Sequence, residues 1–214
     1  MRFSNAKEIV AMTLVWALVL IVYDQLFSKH LFAPTPAEVA KFTQPQITMW
    51  MSHVGCSGGL ENVLQAIKTL PWLGEPQVVE DASKPCGRGL IVNVSDMAQA
   101  DFMELRHTLR NVGVVPAEVE FGGIPHFALI AEVSQLMNCP PCVQAAREAM
   151  SPKKDPKMGS TFKWVDSARV GEKEPTITAY VRYGYVADVR ELIWTLDQAG
   201  FPPSSIRIMV GEKA

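Results

Sequence analysis

The sequence repeats itself, and the repeat narrows the folds open to it. Ala100-Asp101-Phe102-Met103-Glu104-Leu105-Arg106-His107-Thr108-Leu109 aligns with Ala187-Asp188-Val189-Arg190-Glu191-Leu192-Ile193-Trp194-Thr195-Leu196 at an offset of 87 (187 − 100). Gly113 with Gly200 and Pro116 with Pro203 keep that offset, so Ala, Asp, Glu, Leu, Thr, Leu, Gly and Pro coincide without a gap. Upstream, Cys56 matches Cys139 at an offset of 83, so extra residues lie in between. Self-similarity at a fixed period marks a duplicated structural unit. At 214 residues the chain has room for two domains of about 80 to 90 residues.

Both copies read as the same order of elements. The first predicts a strand over Ile47–Ser52, a helix over Gly59–Leu70, strands over Gln77–Glu80 and Gly89–Val94, a helix over Ala98–Val112 and a strand over Glu118–Phe121. The second predicts a strand over Phe127–Ser134, a helix over Pro141–Met150, strands over Thr161–Asp166 and Thr176–Tyr183, a helix over Tyr185–Ala199 and a strand over Ser205–Val210. Gly113 and Gly200 fall where helix C-caps belong, and a proline follows each to block continuation. Strand-helix-strand-strand-helix-strand, twice, predicts an α+β chain of two tandem ferredoxin-like βαββαβ plaits. Each would be a four-stranded antiparallel sheet with both helices on one face. The boundaries fall at 46–123 and 124–214, and the short join Gly122-Gly123-Ile124-Pro125 makes the plaits packed neighbours.

Ahead of the repeat, Ile9–Tyr23 is apolar apart from Thr13, and Leu26 and Phe27 extend the run. As a helix, Ile9–Phe27 spans about 28 Å, close to the roughly 30 Å hydrocarbon core of a bilayer. Arg2 and Lys7 precede it, as in a signal peptide, but no small-x-small cleavage site follows. The reading is an uncleaved transmembrane helix within residues 1–32 and a stiff Pro-rich spacer over 33–45, carrying Pro34, Pro36 and Pro45. The basic N-terminal tail favours N-terminus inside, a single pass through the inner (cytoplasmic) membrane, and soluble domains on the periplasmic side. A net charge of −2, with no basic stripe, excludes a nucleic-acid partner.

Met137-Asn138-Cys139-Pro140-Pro141-Cys142 carries the chemistry. Two thiols at i and i+3 opening a helix converge on one point, where the helix N-terminus favours the thiolate. With Ala199-Gly200-Phe201 after the second helix, this copy resembles the heavy-metal-associated domains, the ferredoxin-like modules of copper chaperones and metal-transport ATPases. The resemblance implies Cu(I) or another soft ion at Cys139 and Cys142, with Phe201 as the shielding aromatic. In the first copy Gly59 stands where the second cysteine belongs and Val114 where the aromatic belongs, which implies that metal binding there is lost. Three readings of Cys139 and Cys142 stay open: a Cu(I) site, a structural or vestigial pair needing no cofactor, and a thiol-disulfide redox pair.

Cys56 and Cys86 sit on two turns at one end of the first plait, so a disulfide between them is expected, adding about 3–4 kcal/mol on the chain-entropy model. A lateral offset of roughly 9–10 Å between the two strands is the obstacle. Trp50, beside Ile91, and Tyr180 are expected on the open sheet faces as partner-docking residues. No nucleophile–base pair, carboxylate pair or phosphate loop stands out, so no enzyme activity is expected. The leading expectation is a membrane-anchored, non-enzymatic accessory subunit that docks on and stabilises a larger integral membrane complex of respiratory or photosynthetic type. The alternative is a membrane-tethered Cu(I)-binding protein or metallochaperone.

Overall fold

The computed structural model describes residues 44–52, 59–84, 86–136, 139–151, 154–155, 159–160, 162–171 and 174–211. The expected anchor and residues 33–43 of the expected spacer lie outside the described residues, as does Cys56. Among the described residues, no helix is long and apolar enough to cross a membrane.

The first copy contributes β1 (Gln46–Trp50), α1 (Leu60–Ile67), β2 (Gln77–Glu80), β3 (Arg88–Asn93), α2 (Phe102–Asn111) and β4 (Glu118–Gly122). The second contributes β5 (Phe127–Glu132), α3 (Pro140–Ala149), the short pair β6 (Lys154–Asp155) and β7 (Gly159–Ser160), then β8 (Val165–Val170) and β9 (Thr176–Val181). It closes with β10 (Ala187–Asp188), α4 (Val189–Gln198) and β11 (Ser205–Val210). The fold is α+β, with two antiparallel main sheets in the orders β10-β4-β1-β3-β2 and β11-β5-β9-β8. Without β10, each is the strand order of a ferredoxin-like plait, with β1 and β3 at the centre of one and β5 and β9 at the centre of the other.

Period-two burial produces the sheets. Ile47 and Met49 of β1, Leu90 and Val92 of β3, and Phe121 of β4 are fully buried, as are Leu129 and Ala131 of β5. The helices close over them with Val63 and Ile67 of α1, Leu105 and Leu109 of α2, and Leu192 and Leu196 of α4. One continuous core runs through both copies. Phe102, Phe121 and Phe127 chain across it edge to face, at centroid separations of 5.7 and 5.0 Å.

Three predicted elements move. The strand expected over Thr161–Asp166 is β8 at Val165–Val170. β8 is an edge strand whose middle four residues are all exposed, so it lacks alternation, whereas Phe162 and Trp164 alternate because they are buried in the turn before it. The helices expected from Ala98 and Tyr185 start at Phe102 and Val189. The repeated Ala-Asp pair is held out of each helix by tertiary contacts. Ala187 and Asp188 pair antiparallel with Phe121 and Glu120, extending the first sheet. Asp101 makes the reciprocal bridge to Arg207 on the second. Each plait therefore covers the edge strand of the other, and the expected 123/124 boundary is crossed by the hydrogen-bond ladder.

At the join, Gly123 has φ +92, and a Cβ there would collide with the Gln44 carbonyl. Gly113 (φ +77) and Gly200 (φ +82) are the left-handed helix caps foreseen from the sequence.

Candidate functional site

The thiol pair sits where β5 ends and α3 begins. A 3-10 turn, Ser134–Leu136, leads out of the sheet, and Cys139 N–H donates to the Leu136 carbonyl at 3.4 Å. Cys139 is the N-cap of α3, its Sγ accepting the Cys142 N–H at 3.3 Å. Pro140 and Pro141 occupy the first positions of the helix, where a missing N–H costs nothing. Cys139 and Cys142 are joined by a disulfide with Cα atoms 5.2 Å apart, and both are half-buried. On reduction, the same N–H and the helix N-terminus would favour a Cys139 thiolate. Two soft sulfurs this close suit a two-coordinate Cu(I) ion, so the residues fit the metal that the resemblance implies. Among the described residues no group of three or more His, Cys, Asp or Glu gathers.

Phe201 lies at the same end of the second plait, where Ser204 N–H donates to the Glu132 carbonyl at 2.9 Å. Its N–H closes the α4 cap on the Leu196 carbonyl at 2.8 Å, and its ring, 6% exposed, belongs to the core. Val114 makes the equivalent cap bond to Leu109 at 3.0 Å and is buried to the same degree. The two copies share this backbone and differ in the side chain placed on it.

Cys86 is half-buried and disulfide-bonded. It sits just ahead of β3, the strand hydrogen-bonded to β1, rather than out on β2. Its Sγ lies 3.1 Å from the carbonyl oxygen of Ser52, the residue two beyond the end of β1. The lateral offset expected from the sequence is thus removed on the Cys86 side, because the hairpin returns across it.

Trp50 is not the exposed aromatic expected on the open sheet face: it is 8% exposed. Lys84 Nζ stands 5.3 Å above its ring and pairs with Glu118 Oε2. The ring also rests on Gly89, where a Cβ would come within 2.6 Å of it. The correction has a tertiary cause: the β2–β3 hairpin folds Lys84 back over the indole, and Gly89 beneath it has no side chain to push the ring out. Ile91 and Tyr180 are half-buried. The large side chains left in solvent are elsewhere, among them Val115 and Trp194.

The sequence reading also missed a pair of polar clamps on buried tryptophans. Trp72 donates its indole N–H to Glu104 Oε2 at 2.9 Å, and Trp164 donates to Glu191 Oε2 at 2.8 Å. The glutamates are repeat partners, 104 and 191, and each gives a buried indole N–H its acceptor. Two tryptophans 92 residues apart (164 − 72) carried the signal, at an offset different from 87.

Charge gathers where the copies meet. Burial raises the Glu120 carboxyl above its ordinary value, and Glu118 and Asp188 add to this while Lys84 opposes it. Burial likewise raises Asp188, against the hydrogen bond that it accepts from Glu191 N–H. The bond to Glu118 raises Lys84.

No protein-family profile matches the chain, and no curated protein does. Among solved structures it is similar to the water-soluble region of the P-type ATPase CopA from Bacillus subtilis. The TM-score is 0.30 and the identity 15%, over 79% of this chain and 99% of that one.

Proposed function

We propose that this chain is a membrane-anchored, non-enzymatic accessory subunit that docks on and stabilises a larger integral membrane complex, of respiratory or photosynthetic type. The observation that carries the reading is the reciprocal edge capping. β10 extends the first sheet and Asp101 bridges to β11, while Arg106 and Asp197 pair at 2.9 Å between α2 and α4. Two plaits that each complete the other's sheet move as one body, which is what a rigid bracket requires. The anchor and its stiff spacer, read from residues 1–45, would hold that body at a fixed distance from the bilayer. Mild solubilisation of the native membrane should find the chain migrating with a large complex. A chain that runs alone as a monomer would overturn the reading.

A second reading has its own observation, the Cys142 N–H donated to Cys139 Sγ at the start of α3. It makes the chain a membrane-tethered Cu(I) binder at Cys139 and Cys142, with Phe201 beside the thiol end of the sheet. Titrating the reduced full chain with Cu(I) against a competing chelator separates the two. Binding at one equivalent, lost in Cys139→Ser, supports metal handling, and no binding leaves the scaffold.

A further inference from the structure

We infer that the groove between α2 and α4 is the docking surface, and that its occupant is an apolar segment of a partner protein flanked by acidic side chains. Leu105, Leu109 and Ile193 form a buried floor, and Val115 and Trp194 stand over it at 51% and 53% exposure. Solvating a tryptophan and a valine over an apolar trough is unfavourable, and covering them is worth more than covering scattered single residues. Tryptophan is also the side chain that most often anchors an interface.

The rim gives the partner's charge. Arg106, Arg110 and Arg190 surround the groove, against the single carboxylate of Asp197. Asp197 is taken up by Arg106 at 2.9 Å, and Arg190 donates to the Ala117 carbonyl, so two guanidinium charges remain without a carboxylate in the groove. This positive rim lies on a chain whose net charge is −2, so it is a local feature and not a consequence of overall composition. A second copy docked groove to groove would set arginine against arginine, which disfavours a symmetric dimer. The trough is concave and runs along α2 from Phe102 to Arg110, roughly 12 Å, about two helical turns. That shape fits a protein segment better than a flat lipid surface. An apolar residue flanked by Asp or Glu satisfies floor and rim together.

The inference deepens the accessory-subunit reading and rests on it for the partner's being part of a membrane complex. The probe is a synthetic amphipathic Leu/Glu helix, added to the detergent-solubilised full chain in a Trp16→Phe background. Trp50, Trp72 and Trp164 are buried, so acrylamide quenching reports chiefly on Trp194. The Leu/Glu peptide should lower the quenching constant severalfold, and a Leu/Lys peptide should leave it unchanged. Arg110→Glu with Arg190→Glu should reverse that preference, a gain that an unfolded variant cannot produce. Equal shielding by both peptides, shielding by anionic lipid alone, concentration-dependent self-shielding, or no shielding would each overturn the proposal. In native membranes Trp194→Ala with Arg110→Glu should loosen comigration at least tenfold. Unchanged comigration overturns the groove and leaves the accessory role standing, whereas a wild-type chain that runs alone overturns the accessory role itself.

Discussion

The two plaits share a backbone plan and differ at one end. Both keep the aspartate that caps the second helix, the glutamate that holds a buried tryptophan, the left-handed glycine and the buried residue after it. They part at the end where the first strand enters the first helix. There the second plait has Cys139-Pro140-Pro141-Cys142 and Phe201, and the first has Gly59 and Val114, with Cys86 in the neighbouring hairpin bonded in a disulfide. What both copies retain is what holds the core and the seam between them. The chemistry-bearing end has diverged, with Phe201 and Val114 filling the same core position, while the seam has not.

The largest expected contrast lies in the disulfides. With Cys56 as the expected partner, the Cys86 bond closes a loop of about 30 residues, and Cys86→Ser should cost about 3–4 kcal/mol. Cys142→Ser opens a loop of only about four residues and should cost about 2 kcal/mol by the same model. Chemical denaturation of the two variants, with and without reductant, measures the difference; equal costs would show that the two ends are braced alike.

The clamps come next. Glu191 accepts from the Trp164 indole and, at 3.0 Å, from Phe162 N–H, whereas Glu104 accepts from Trp72. Glu191→Ala strands two buried donors and should cost about 3 kcal/mol, against about 2 kcal/mol for Glu104→Ala. Thermal unfolding followed by tryptophan fluorescence reads this directly.

The seam is asymmetric too. Asp101 caps α2 through Met103 N–H at 2.8 Å and also accepts Ile206 N–H from the other plait at 3.0 Å. Asp188 caps α4 through Glu191 N–H, and its burial opposes ionisation. Asp101→Ala should cost about 2 kcal/mol and Asp188→Ala no more than about 1 kcal/mol. Hydrogen exchange at Ile206 should rise only in the first variant.

The smallest effect is one of pH. Glu120 and Asp188 have carboxyls raised by burial, so the folded chain binds their protons more tightly than the unfolded chain does. Their contribution therefore favours folding below the ordinary carboxylate range, near ~4, and is lost as pH rises through the raised folded values. Glu120→Gln should stabilise the protein at neutral pH and flatten this part of the profile. A variant less stable than wild type at pH ~7 would mean that the carboxylate is held favourably by Lys84 instead.

The sequence by itself determined the duplication, the strand and helix order common to the two copies, the glycine caps and the placing of Cys139 and Cys142 at a helix start. These follow from local rules: period-two and period-3.6 burial, the left-handed residue after a helix, and the spacing of two thiols. It misjudged what depends on neighbours distant along the chain. Nothing local says that Ala187-Asp188 leaves its helix to pair with Phe121 and Glu120, since the pairing energy belongs to a strand in the other copy. Nothing local covers Trp50, because the lysine above it comes from a hairpin more than thirty residues away (84 − 50). The alternation in Phe162 and Trp164 was genuine, but a glutamate on α4 turned it into a clamped turn instead of a strand. Tertiary structure alone decided these points, because a buried polar group or an open sheet edge must be satisfied by whichever segment the fold brings to it, whatever that segment's own propensity.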